Sequence, residues 1–179
     1  MKTIEIGNIK IGPKQPIALI AGPCVIEDRD TVLQAAELIK ILADKLNFPF
    51  IFKSSFLKDN RSSSQSYQGP GLEQGLKILQ EVKKEFSIPV VSDIHHEHMA
   101  EPAAEVLDVI QIPAYLCMQT TLIVAAARTG KPLNIKKGQF LHPEDMKNVI
   151  KKIEFEGNES IFLTERGTFF GYHNLVVDT

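Results

Sequence analysis

Six times along this chain a short apolar run gives way to polar residues: Ile17–Ile20, Phe50–Phe52, Pro89–Val91, Val109–Ile112, Leu133–Ile135 and Ser160–Leu163. Continuous runs of this length predict strands covered on both faces, as parallel strands are. Between most of them the apolar period changes to three and four residues. Val32, Ala35, Ala36, Ile39, Leu42, Ala43 and Leu46 predict a helix with Asp30 placed to cap its start; Leu72, Leu76, Leu79, Val82 and Phe86 predict a second. A third runs over Leu122–Arg128 and stops at Gly130. A fourth opens at Pro143, carries Met146, Val149, Ile150 and Ile153, and ends near Gly157. Strands alternating with helices predict an α/β parallel sheet, and the steady spacing favours a (β/α)₈ barrel over a doubly wound sheet. Before the first unit, Thr3–Ile6 and Ile9–Ile11 alternate around Gly7-Asn8 and predict a β-hairpin. The expectation is one domain, residues 1–179, with the hairpin in 1–12 and barrel units one to six in 16–179.

Composition removes several function classes. A 179-residue chain that is 44% hydrophobic can bury a sizeable core. Its net charge of −2 argues against a nucleic-acid-binding surface, and no apolar run approaches the ~20 residues of a membrane span. Only two cysteines occur, Cys24 and Cys117, a usage that fits a reducing cytoplasm better than a disulfide framework.

The polar residues sit after the strands. Cys24 follows the first, Lys53 the second, and Asp93 and His95 the third; Gln111 ends the fourth, Lys136 and Lys137 the fifth, Glu165 and Arg166 the sixth. In a (β/α)₈ barrel those ends converge on one face, where active sites are built. The segment KSSFLKDNRSSSQSYQGPG, Lys53 to Gly71, adds Lys58 and Arg61. Lys53, Lys58, Arg61, Lys136 and Arg166 thus concentrate positive charge in one mouth, against Asp93 and Glu165. Such a mouth suits a small, multiply anionic substrate.

The stretches LIAGPCVIE, FKSSFLKDNRSS, SDIHHE, IQIPAYLC, NIKKGQF and LTERGTFFGYHNLVVD, in this order, resemble the 3-deoxy-D-manno-octulosonate 8-phosphate (KDO-8-phosphate) synthase family. The resemblance implies a class I aldolase-type TIM barrel, homotetrameric and cytoplasmic. Such a barrel condenses phosphoenolpyruvate with D-arabinose 5-phosphate for lipopolysaccharide synthesis. Lys53, Lys58, Lys136 and Arg166 are then the phosphoenolpyruvate ligands, with Gln111 and the backbone near Ala114 lining the same site. Asn60, Arg61 and Ser62 resemble the motif that receives the sugar phosphate, and Asp93 lies near the reacting aldehyde. Lys58, Asn60 and Asp93 are the catalytic candidates. Cys24 resembles the metal-dependent class, whose thiolate joins a His, a Glu and an Asp on a divalent zinc, iron or manganese ion.

The chain departs from the family in three places. Six strands are predicted where a barrel has eight and about 250 residues; the other three metal ligands are expected beyond Thr179, and the chain alone is expected to be inactive. Met118 stands where the family carries an Arg that reaches a neighbouring subunit's sugar phosphate, and in the last motif Phe169 and His173 also depart from the pattern. Two other readings stay open. A 3-deoxy-D-arabino-heptulosonate 7-phosphate (DAHP) synthase shares the chemistry but tends to read K-P-R-T where this chain reads Lys58-Asp59-Asn60-Arg61-Ser62; a non-catalytic, shortened homologue would bind anions only. His95, His96 and His98 lack the spacing of H-E-x-x-H and predict a loop or helix start, and GPGLEQG is not a dinucleotide fingerprint.

Overall fold

The computed structural model describes residues 2–63, 65–169 and 175–177. The Phe170 to Asn174 part of the last motif, His173 included, lies outside the described residues, as does Asp178. Strands β1 (Ile4–Ile6) and β2 (Ile9–Ile11) form the expected antiparallel hairpin. Then come β3 (Leu19–Ala21), α1 (Arg29–Lys45), β4 (Phe50–Lys53), α2 (Leu72–Phe86) and β5 (Val90–Asp93). They are followed by α3 (Ala100–Val106), β6 (Val109–Ile112), α4 (Thr120–Arg128), β7 (Leu133–Lys136), α5 (Met146–Phe155) and β8 (Ile161–Thr164).

Strands β3 to β8 make one parallel sheet in strictly sequential order. A doubly wound sheet reverses its order part-way; sequential order is the barrel pattern. The pleat sorts the side chains. Phe50, Phe52, Val90, Ile110, Ile112, Leu133 and Ile135 pack with the helices, while Ile51, Val91 and Val109 point the other way and pack with Ile4, Ile6 and Ile9 of the hairpin. The hairpin therefore covers the lower inner layer with apolar groups. Two residues further along the same inward rows stand Lys53, Asp93, Gln111 and Lys136, with Thr164 in the matching row of β8. The alternation that buries the core thus also lifts a polar layer to the C-terminal strand ends.

Several boundaries differ from expectation. Ile17 is 79% exposed and the strand begins at Leu19; Lys53 and Asp93, expected just after their strands, are the last residues of them, and Lys137 falls one residue beyond β7. The α1 cap is Asp28, not Asp30: its carboxylate accepts from Thr31 N at 2.8 Å, and Asp30 sits in the first turn. Helix α3, seven residues with Pro102 in its first turn, has too little periodic length to read from sequence. The predicted stops hold: Gly130 and Gly157 take φ of +70° and +83°, a region that favours glycine. Among the described residues no helix is long and apolar enough to cross a membrane.

Candidate functional site

Asp93 is the hub. It ends β5 at 2% exposure, and burial alone would raise its pKa; Lys53, Lys136, the Ser55 hydroxyl and Lys58 outweigh that and hold the carboxyl well below the usual range. Lys58 Nζ lies 3.3 Å and Lys53 Nζ 3.6 Å from Oδ2, and Lys136 Nζ 3.4 Å from Oδ1. Ser55 donates to Oδ2 at 2.6 Å, and the Gln111 amide donates to Oδ1. Three ammonium groups converge on one carboxylate, which leaves positive charge in excess. Lys53 shows the cost: burial pushes its pKa down to about 8, with Asp93 opposing and Lys58 and Lys136 adding to the depression.

The convergence follows from local sequence. After β4 the chain continues through Ser54, whose hydroxyl bonds Pro23 O at 3.0 Å, and Ser55, which receives a hydrogen bond from Lys53 Nζ at 2.7 Å. Phe56, fully buried, anchors the loop under Gly75 of α2. From that anchor Lys58, Asp59, Asn60 and Arg61 run along the edge of a cavity of about 540 Å³. Its other walls include Cys24, Lys53, Asp93, Ala114, Lys136 and Arg166. With the Gln139 amide oxygen turned toward Arg166, it accepts from Nε at 3.3 Å and from Nη2 at 3.1 Å.

Of the residues singled out from sequence, Cys24, Lys53, Lys58, Asn60, Arg61, Asp93, Ala114, Lys136 and Arg166 line this one cavity. Gln111 does not: it is 3% exposed and lies behind Asp93, spending its amide on the carboxylate. Ser62 is exposed and outside the cavity wall. Lys137, beside Lys136 in sequence, is buried and faces away from the cavity toward the segment after β8. Met118 is 38% exposed and is not part of the wall.

Sequence reasoning placed His95 after the third strand but gave it no role, and it passed over Ser55. His95 lines the cavity, its Nδ1 is buried with no hydrogen-bond partner among the described residues, and burial lowers its pKa. A neutral imidazole with an open nitrogen suits a substrate hydroxyl or carbonyl. Its position two residues after Asp93 was the available signal.

Cys24 puts an exposed cysteine on the cavity wall. Among the described residues no group of three or more His, Cys, Asp or Glu side chains stands together. These donors do not by themselves fit a divalent metal.

The chain is similar to the 2-dehydro-3-deoxyphosphooctonate aldolase of Geotalea daltonii, at 56% identity over 178 residues, 99% of this chain and 65% of that protein. The protein of that name from Desulfosudis oleivorans is 57% identical over 176 residues, 98% of this chain and 63% of its own length. That from Trichlorobacter lovleyi is 55% identical over 177 residues, 99% of this chain and 65% of its own. The chain therefore spans a little under two thirds of the length of these relatives. The pattern of the DAHP synthetase I family matches residues 2–179, and the chain belongs to that family.

Proposed function

We propose that this chain carries the substrate-binding face of a KDO-8-phosphate synthase, the enzyme that joins phosphoenolpyruvate to D-arabinose 5-phosphate and releases inorganic phosphate. The observation that carries the reading is the cluster of Lys53, Lys58 and Lys136 around Asp93, with Arg166 on the same wall. Phosphoenolpyruvate carries a phosphate and a carboxylate on a three-carbon frame, and several cations in one cavity offset that charge. The shared name of the similar proteins points to the eight-carbon product. In this reading Asn60 and Arg61, on the same wall, take the aldose, Arg61 its phosphate and Asn60 a hydroxyl; Ser62 joins them only through a shift of its loop.

In this reading C3 of phosphoenolpyruvate attacks the aldehyde carbon while water adds at C2, and the aldehyde oxygen takes up a proton. The tetrahedral centre at C2 then expels phosphate by C–O cleavage and leaves the ketone. The chain's share is orientation and charge stabilisation: the lysines and Arg166 hold the anionic groups, and Asp93 fixes the lysines. Lys53, with a pKa of about 8, is the cation best tuned to exchange a proton near neutral pH. Product formation serves lipopolysaccharide synthesis, and the working form is a cytoplasmic homotetramer. Sedimentation of the purified protein checks the assembly.

The family also takes its description from the DAHP reaction. Asn60, in place of the K-P-R-T pattern, favours the five-carbon aldose over erythrose 4-phosphate. In a form extended to the length of the similar proteins, phosphate release from phosphoenolpyruvate with each aldose separates the two. Preference for arabinose 5-phosphate is expected; equal or reversed preference overturns the assignment, and phosphoenolpyruvate binding without turnover favours the anion-binding homologue.

A further inference from the structure

We propose that Lys137 is a positioning residue whose buried ammonium ties the segment after β8 to the end of β7 and so aims the Arg166 guanidinium into the cavity. The inference rests on the reading of Arg166 as a ligand of the anionic substrate.

Lys136 and Lys137 are neighbours with opposite duties. Lys136 is the last residue of β7, on the inward row, and its ammonium meets Asp93. The pleat sends the next side chain to the other side of the sheet. Lys137 is 2% exposed and takes no part in the cavity wall. A charge so buried persists only where oxygens surround it. Its three N–H groups are shared among Gly167 O at 3.0 Å, Thr168 Oγ1 at 3.1 Å, Gly138 O at 3.3 Å and Leu141 O at 3.4 Å, and Nζ lies 3.6 Å from Glu165 Oε1.

The partners fall on two stretches of chain. Gly138 and Leu141 belong to the loop after β7; Glu165, Gly167 and Thr168 belong to the segment after β8. Arg166 stands in the middle of the second stretch, with a tied residue on each side. Backbone bonds run in parallel with the clamp: Lys137 N donates to Thr164 O at 2.9 Å, and Phe169 N donates to Gln139 O at 3.0 Å. A side-chain substitution removes the ammonium without breaking these backbone bonds. Removing it leaves the Gly167 carbonyl without its donor and frees the turn that carries Arg166.

The test combines a ligand-independent readout with a binding cycle. Trypsin under native conditions reports access to the Arg166–Gly167 bond. Lys137→Met, which keeps the length of the side chain, is expected to speed that cut several-fold, whereas Lys147→Met, on the exposed face of α5, leaves it unchanged. By calorimetry Lys137→Met is expected to weaken phosphoenolpyruvate about tenfold, the scale of one lost hydrogen bond to a charged group. It should cost nothing further when Arg166→Met is already present, and Lys137→Arg should recover part of the loss. An unchanged cutting rate overturns the proposal, as does an equal affinity loss in the Arg166→Met background. Should the unaltered protein fail to bind phosphoenolpyruvate, the reading of Arg166 fails, and the cutting rate still decides whether Lys137 holds the segment. Should Lys137→Met not fold, Thr168→Val, which deletes one contact, decides by the same cut: faster cutting supports the clamp and an unchanged rate overturns it.

Discussion

Lys53 Nζ stands 3.6 Å from Asp93 Oδ2, and the two side chains, 15% and 2% exposed, impose pH slopes of the same sign on stability in two separate windows. Asp93 has its folded pKa below the ordinary 3.8, so its contribution is present in full above that value and is lost as pH falls below it. Lys53 has its folded pKa lowered from 10.5 to about 8. Between those values the unfolded chain binds a proton that the folded chain has released, so stability rises with pH across that window. The size is about 3 kcal/mol at most. Urea unfolding of the unaltered protein and of Lys53→Met at pH 7.5, 9 and 10.5 checks it: the rise should be larger in the unaltered protein, and a constant difference would refute the coupling.

Asp93→Asn removes the counter-charge of three lysines and is expected to destabilise the fold by about 3–5 kcal/mol, the range for a buried ion pair that loses one partner. Inorganic phosphate should then stabilise the variant more than the unaltered protein, because the cluster has one more positive charge to satisfy. Thermal midpoints with and without phosphate report this. Equal phosphate shifts in both proteins would mean that the cavity's charge does not govern anion binding.

Much of this site was legible because strand periodicity and polarity change at the same residues. A covered strand that ends in Lys, Asp or Lys leaves few places for the charge except the layer above the core, and Lys53, Asp93 and Lys136 are all there. What stayed hidden depends on orientation. Nothing in Lys136-Lys137 says which ammonium faces the cavity, since that is decided by where the pleat ends. Gln111 occupies an inward position like the lysines, yet its amide is committed to Asp93, a contact across strands that no single-strand pattern encodes. Asp28 and Asp30 both suit a helix start; the carboxylate that reaches the Thr31 amide is set by the entry angle of the chain.

Gly75 lies inside α2, where helix propensity alone favours alanine by about 1 kcal/mol. Packing reverses that. A Cβ there would stand 2.2 Å from Phe56 Cβ and 3.1 Å from Phe56 Cα, and Phe56 is fully buried. Overpacking of this kind costs about 1–3 kcal/mol or more, so Gly75→Ala is expected to lower stability. Because Phe56 anchors the loop that carries Lys58, Asn60 and Arg61, anion affinity should fall too. Urea unfolding and phosphate titration of Gly75→Ala decide it; a stabilised variant with unchanged affinity would refute the anchoring role.

The two cysteines differ in reach. Cys24 is exposed on the cavity wall, whereas Cys117 is fully buried, and burial raises its pKa. A disulfide reagent such as Ellman's should therefore label one thiol quickly in the folded protein and the second only on unfolding. Lys53 links Cys24 to the anion cluster, its ammonium lying 3.4 Å from the Cys24 carbonyl oxygen. Both residues line the one cavity, so a molecule held there by Lys53 is expected to limit access to the thiol. Phosphoenolpyruvate is expected to slow labelling of Cys24 and to leave Cys117 unaffected, with Cys24→Ser and Cys117→Ser assigning the phases. Protection of Cys117 instead, or labelling of Cys24 that ignores saturating phosphoenolpyruvate, would place the anion elsewhere than the cavity between β4, β5 and β7.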